Sequence, residues 1–91
     1  MHVISYKRFR EFGQTHSACR SSLDDWFKIA IGANWSHLIE VQAAFPLAEA
    51  VDNFTVFNLQ GNRNRLIVSI DYKGRLINIK CILTHADYDR G

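Results

Sequence analysis

The sequence places several proton-handling side chains close together near residue 91. An apolar run stops at Leu83, and the segment THADYD, residues 84–89, then supplies a histidine, a tyrosine and two aspartates. A free imidazole has a pKa of about 6.5, and a helix N-terminus disfavours its charged form, so His85 can act as a base or an acid near neutral pH. Tyr88 follows three residues later, on the same side of a helical turn. The spacing therefore indicates a site for proton transfer.

Cleavage of RNA without a metal ion is a reaction that such a pair can serve. The 2′-hydroxyl of the RNA is the nucleophile, so the protein must supply an acid, a base and arginines for the charge that develops on the phosphate. Arg65 and Arg63 are arginines that could serve in this way. A helix cap explains the same segment differently, because Thr84 and Asp87 have capping-box spacing and Tyr88 can anchor that turn on a sheet. The residues alone leave both interpretations open.

Three β-branched runs follow residue 53, and their alternation assigns side chains to two faces of an antiparallel sheet. The runs are residues 55–60, 65–72 and 75–83, with tight turns predicted at residues 61–64 and 73–74. One face is apolar and is predicted to contain Phe57, Leu59, Leu66, Val68, Ile70, Ile77, Ile79, Cys81 and Leu83. The other face is polar and is predicted to contain Asn58, Gln60, Arg65, Ser69, Asp71, Asn78 and Lys80, with Arg63 at its edge. Arginines on such a face suit a phosphate backbone, because each offers paired donors to phosphate oxygens.

Helical patterns precede these strands. A short strand at the start leads to a helix that Ser5 can cap. Ser21 and Asp24 have capping-box spacing before a stripe formed by Leu23, Trp26, Phe27, Ala30 and Ile31. A further short helix is predicted from Ser36 and must stop before Pro46. Two to three N-terminal helices packed on one face of an antiparallel sheet make an α+β fold, and residues 1–91 are predicted to form a single domain.

Charge and composition narrow the function. Residues 57–80 carry five basic groups and one acidic group, whereas residues 21–56 carry one basic group and five acidic ones. A chain polarised in this way favours an anionic partner, although scattered solvated charges explain it equally well. No apolar run is long enough to span a membrane, and Cys19 and Cys81 fit reduced thiols in a cytoplasmic protein. The four histidines show no ligand spacing, so neither a metal site nor a cofactor is predicted.

Several motifs resemble the HigB branch of the RelE/ParE toxin superfamily, small bacterial mRNA interferases encoded beside a HigA-type antitoxin. They are MHVIS at residues 1–5, AAFP at residues 43–46, VFNLQGNRNRLIV at residues 56–68 and THADYD at residues 84–89. The resemblance covers nearly the whole chain. It implies a RelE-like fold, a type II toxin that cleaves mRNA on the translating ribosome, and neutralisation by a tightly bound antitoxin with a helix-turn-helix domain.

The resemblance also assigns roles to residues. The arginine of the GNxxRL motif is Arg65, which would stabilise charge on the phosphate, and the THxxYD motif supplies His85, Tyr88 and Asp89 as catalytic residues. The residues expected to hold RNA are Arg63, Lys80, Lys73 and Asn58. Two alternatives are a non-catalytic RNA-binding module that uses the same basic face and a gyrase-poisoning toxin on the same scaffold. The terminal motif favours RNA cleavage over both.

Overall fold

One five-stranded sheet and two helices make up the described part of the chain. The structure is a computed structural model that describes residues 1–4, 20–59 and 64–84. In chain order the elements are β1 (His2–Ile4), α1 (Arg20–Gly32), α2 (Leu38–Ala44), β2 (Glu49–Val51), β3 (Phe54–Leu59), β4 (Asn64–Asp71) and β5 (Leu76–Thr84). The predicted α+β class is confirmed. The helix predicted after Ser5, and all but Asn64 of the predicted turn at residues 61–64, lie outside the described residues.

The sheet is mixed rather than wholly antiparallel, which corrects the prediction. Its strand order is β1-β5-β4-β3-β2, and β1 lies parallel to β5 while the other neighbouring pairs are antiparallel. Short connections between β2, β3, β4 and β5 force antiparallel pairing. Strands β1 and β5 are separated by most of the chain, so no hairpin sets their relative direction. Consequently β4 is the central strand, and β1 and β2 form the two edges.

Helix α1 packs on the sheet through the predicted stripe, with one exception. Leu23, Trp26 and Ala30 are buried, and Phe27 packs against them half-buried. Ile31 remains 49% exposed. At 3.6 residues per turn, Ile31 lies roughly 80° around the helix from Leu23, beyond the edge of the buried stripe that Phe27 marks.

The two ends of α1 differ in how well the sequence predicts them. The helix already contains Arg20, so Ser21 lies inside its first turn and is not the N-cap that the spacing of Ser21 and Asp24 suggested. The other end falls at Gly32, a residue type that often lies at a helix end. There the Met1 ammonium donates hydrogen bonds to the carbonyl oxygens of Ala30, Ile31 and Ala33 at 3.1, 3.1 and 2.7 Å. A cation at the C-terminus of a helix is favourable, and this one ties β1 to α1.

Helix α2 is a short helix that stops before Pro46, as expected. Its first turn is held by Glu40, whose Oε1 accepts a hydrogen bond from the Ser36 backbone N–H at 3.1 Å. From inside the helix, Gln42 Nε2 donates a hydrogen bond to the Ala48 carbonyl oxygen at 3.0 Å. This bond fixes the path of the chain from α2 into β2. Within the described ranges, no helix is long and apolar enough to cross a membrane.

Both helices contribute to a core on one face of the sheet. Its buried members are Leu23, Trp26, Ala30, Trp35, Val41, Ala48, Phe57, Leu59, Leu66, Val68, Ile77 and Ile79. At its centre the Phe57 ring lies 5.4 Å from the Trp26 ring and 5.1 Å from the Phe45 ring, both edge-on, and is stacked on Trp35 at 6.4 Å. Such aromatic pairs add about 0.5–1.5 kcal/mol each beyond area burial. Phe57 therefore fixes β3 against α1, against the segment between the two helices and against the segment that follows α2.

The turn between β4 and β5 has four residues, Tyr72 to Arg75, rather than the predicted two. Asp71 closes the turn by accepting a hydrogen bond from the Gly74 backbone N–H at 2.9 Å. A Cβ at position 74 would lie 2.6 Å from Asp71 Oδ2, so the glycine permits this close approach. Arg75, with φ of 59°, takes the left-handed conformation that the sequence would have assigned to glycine.

Candidate active site

A row of three residues crosses the sheet on the face opposite the helices. Asn58 of β3 lies directly opposite Arg65 of β4, and Leu83 of β5 lies directly opposite Arg65 on its other side. Directly paired residues project to the same face, and neighbouring strands are about 4.7–4.9 Å apart. We call this side of the sheet the second face; its members near the row are Val56, Asn58, Arg65, Ile67, Cys81 and Leu83.

Arg65 sits in a partly apolar setting. Its side chain is half-buried and its Nη1 atom is buried. The neighbouring row consists of Val56, Ile67 and Cys81, of which Val56 is only 2% exposed and the other two are half-buried. Partial removal from water strengthens the interaction of a guanidinium with an anion. The alternation of Val56 with Phe57 and of Ile67 with Leu66 in the sequence indicates this apolar row, which the predicted composition of the polar face did not include.

A β-bulge in β5 determines what lies beside Arg65. Ile67 pairs with Cys81 and Val68 pairs with Ile79, so the register passes over Lys80, which is one extra residue in β5. The bulge shifts the alternation of every later residue in the strand. Ile82 consequently faces Leu66 and packs against the core. Cys81 and Leu83, predicted for the apolar face, lie instead on the second face, and that prediction was wrong.

The other candidates that are described do not all lie near Arg65. Asn58 is its direct neighbour, and Lys80 projects exposed from the bulge close to Ile67. Lys73 is an exposed residue of the β4–β5 turn. Asp71, the last residue of β4, lies six positions after Arg65, so Lys73 in the turn beyond it is on the order of 20 Å from Arg65 at about 3.4 Å per residue. The remaining candidates, His85, Tyr88, Asp89 and Arg63, lie outside the described residues.

Potential metal ligands are dispersed in the described part of the chain. Across residues 1–4, 20–59 and 64–84, no three His, Cys, Asp or Glu side chains are grouped so that they could hold a metal ion. Cys81 forms no disulfide with another described residue, and Cys19 lies outside the described ranges. The described chemistry of the site is therefore that of an arginine and an amide on a partly apolar sheet surface.

Comparison with known proteins identifies the relatives of this chain. Residues 19–91 match the model of the HigB toxin family, described as a RelE-like toxic component of a toxin–antitoxin system. The chain is also similar to a protein named mRNA interferase HigB from Escherichia coli O6:H1 (strain CFT073), with 28% identity over 96 residues that cover 99% of this chain and 90% of the relative. The family match spans the strand that carries Arg65 and the THADYD segment. The chain belongs to the HigB family of RelE-like toxins of toxin–antitoxin systems.

Proposed function

We propose that this protein is the toxin of a type II toxin–antitoxin system and cleaves mRNA by metal-independent attack of the RNA's own 2′-hydroxyl, which inhibits translation and growth. The observation that carries the proposal is the position of Arg65. It is a half-buried arginine in the central strand, opposite Leu83, and Leu83 precedes His85 by two residues in the sequence. The name of the Escherichia coli relative, mRNA interferase, supports RNA as the substrate.

Arg65 suits the stabilisation of a phosphate during cleavage. Its backbone is fixed by ladders to β3 on one side and β5 on the other. A guanidinium presents its donors in a planar fork that matches two phosphate oxygens. Because the side chain is already partly desolvated, little water has to be reorganised when negative charge develops on the phosphate. Arg65 would therefore contribute more to the transition state than to initial binding.

His85 is near enough along the chain to act with Arg65. Thr84, the last residue of β5, pairs with Asn64, the residue before Arg65. His85 follows Thr84 directly, so the covalent chain limits the separation of its Cα from that of Leu83 to about 7.6 Å. An imidazole at that distance can reach the ribose or the leaving oxygen of a nucleotide whose phosphate Arg65 holds. This limit supports His85 as a proton-transfer residue.

The proposed chemistry needs two proton transfers. One group removes the proton from the 2′-hydroxyl as it attacks the phosphorus, and another delivers a proton to the departing 5′-oxygen. We assign these steps to His85 and Tyr88 together, and Asp89 orients that pair. The products are an RNA fragment with a 2′,3′-cyclic phosphate and one with a free 5′-hydroxyl.

RNA contacts outside the reacting phosphate would come from the basic residues of the same hairpin. Asn58 lies beside Arg65, and Lys80 projects from the bulge. Lys73 lies at the far turn and would bind a phosphate several nucleotides away; Arg63 precedes β4 in the sequence. A neutralising HigA-type antitoxin with a helix-turn-helix domain is the proposed partner. The ribosome is the proposed place of cleavage, which puts the activity in the cytoplasm.

The test compares two conservative arginine substitutions. Arg65→Lys keeps the charge but removes the two-pronged contact. Arg75→Lys makes the same chemical change at an exposed position of the far turn and serves as the control. Losing one charge-assisted hydrogen bond costs about 1.5–3 kcal/mol, so Arg65→Lys should slow single-turnover cleavage at least about tenfold. RNA affinity of both variants, and cleavage by Arg75→Lys, should stay near those of the unaltered protein.

The outcomes separate catalysis from binding. Equal losses of affinity and cleavage in Arg65→Lys would make Arg65 a binding residue and favour the RNA-binding module. If cleavage is unaffected in both variants, Arg65 does not take part in the reaction. Identification of the 2′,3′-cyclic phosphate by mass spectrometry checks the proposed route independently, because hydrolysis by an activated water leaves no cyclic product.

A further inference from the structure

A small pocket lies beside the carboxyl end of β3, beyond the residues that pair with β2. Strand β2 pairs with β3 only from Phe54 to Val56. Beyond that point the segment between α2 and β2 runs alongside β3 and leaves a pocket of about 160 Å³. The residues that line it are Ala44, Phe45, Pro46, Leu47, Ala48 and Asn58. This pocket plays no part in the chemistry assigned to Arg65 and His85.

The pocket is built from fixed parts. Phe45 packs edge-on against Phe57 at 5.1 Å and against Trp35 at 6.1 Å. Its backbone N–H donates to the Val41 carbonyl oxygen at 2.8 Å, and its carbonyl oxygen accepts from the Ala48 N–H at 2.9 Å. The wall therefore needs no rearrangement before a ligand binds, which reduces the entropic cost of binding.

We propose that this pocket binds the base of a nucleotide adjacent to the phosphate held by Arg65, and that Asn58 reads the edge of that base. The inference rests on the proposed RNA cleavage. Among the described residues that line the pocket, only Asn58 has a polar side chain, and a mainly apolar lining with few polar groups is usual for a ligand pocket. Its volume is below that of drug-sized sites, so it suits one planar ring system. Asn58 offers two donors and an acceptor, the set needed to distinguish base edges.

The position of Asn58 selects a nucleobase over other small ligands. Asn58 is the direct cross-strand neighbour of Arg65 and is itself a wall of the pocket. Neighbouring strands are about 4.7–4.9 Å apart, so a phosphate on Arg65 and a ring in the pocket lie within the reach of one nucleotide. Bases of single-stranded RNA are commonly recognised by stacking on apolar or aromatic surfaces and by hydrogen bonds to their edges. The pocket therefore confers a base preference on cleavage.

The experiment uses two neighbouring alanines of α2. Ala44 lines the pocket and Ala43 does not, and both are exposed in the last turn of the helix. Ala44→Phe should fill the pocket, whereas Ala43→Phe makes the same change outside it. The probes are 2′-deoxy trinucleotides, which cannot be cleaved by 2′-hydroxyl attack, with each of the four bases in turn at every position. Affinities are measured by NMR titration of the purified protein.

The unaltered protein and Ala43→Phe should prefer one base at one position by about tenfold, as expected for one well-made pair of hydrogen bonds. Ala44→Phe should lose this preference. Asn58→Ala is a second variant. It should also lose the base preference, although its smaller side chain does not fill the pocket. Equal affinities for all bases, or a preference unchanged in Ala44→Phe and Asn58→Ala, would overturn the inference. The inference would also be overturned if the unaltered protein showed no base preference and Ala44→Phe lost antitoxin binding. The pocket would then be a contact site for the antitoxin.

The same measurements distinguish failure of the inference from failure of the proposed function. If the protein selects one base through the pocket but never cleaves RNA, the inference stands and the proposed activity is wrong. If the protein cleaves RNA and none of the pocket variants alters its base preference, the proposed activity stands and the inference is wrong.

Discussion

Deletion of Lys80 tests whether the bulge in β5 holds one surplus residue. With Lys80 removed, Cys81 still faces Ile67, Ile82 still faces Leu66 and Leu83 still faces Arg65. Only the bulge disappears, and the ladder becomes regular. The Lys80 side chain is exposed, so Lys80→Ala measures the loss of the side chain alone. We expect the deletion to change the free energy of unfolding by no more than about 1 kcal/mol relative to Lys80→Ala.

Deletion of Asn78 is the matched control, because it shortens the same strand by one residue before the bulge. Ile79, now 1% exposed and opposite Val68, would move to the place of Asn78 on the second face. Lys80 would take its place in the core. Removing a buried isoleucine forfeits about 1.5–3 kcal/mol, and inserting an unpaired lysine adds to the cost, so the loss should be at least about 3 kcal/mol.

Urea unfolding followed by circular dichroism supplies both free energies, and single-turnover cleavage of RNA supplies the functional comparison. Because the pairing of Arg65 with Leu83 is kept, the Lys80 deletion should cleave RNA as fast as Lys80→Ala does. If the two deletions are equally destabilising, the reasoning is refuted, since the bulge would then be essential to the strand. If the Lys80 deletion is stable but cleaves far more slowly than Lys80→Ala, the bulge itself shapes the site.

Three further outcomes are expected. His85→Gln should retain the fold and the RNA affinity, while the rate of cleavage falls roughly 10²–10⁴-fold. Unchanged toxicity of this variant on induced expression would instead indicate that the THADYD segment is a helix cap. RNA cleavage should persist in EDTA when any ribosomes present are kept intact by other means; activity lost there and restored at the protein by one divalent ion would contradict the metal-free route. Burial raises the pKa of Tyr72, partly offset by its hydrogen bond with Thr55. The unfolded chain therefore loses that proton first, so stability should be complete below about pH 10 and fall above it. Urea midpoints of Tyr72→Phe should lack that decline, and parallel profiles would contradict the assignment.

The parts of the fold that local patterns determine were predictable. The two helices in the described ranges follow the spacing of apolar residues, as Leu23, Trp26 and Ala30 show. The antiparallel strands follow alternation and turn residues. The direction of β1 was not predictable, because a strand that joins the sheet through a long connection is placed by distant packing. The start of α1 was misassigned because Ser21 and Asp24 fit a cap locally, and local fit does not show where a helix begins.

In this site, one inserted residue in a strand has more effect on the arrangement of the side chains than the overall pattern of apolar residues has. Strict alternation put Cys81 and Leu83 with Ile79 on the core face, and the sequence carries no separate mark for a bulge, since Lys80 is ordinary in a strand. The bulge places Ile82, which packs half-buried against the core, opposite Leu66. The same shift places Leu83 opposite Arg65. The catalytic geometry proposed for this toxin consequently depends on this shift of register in β5.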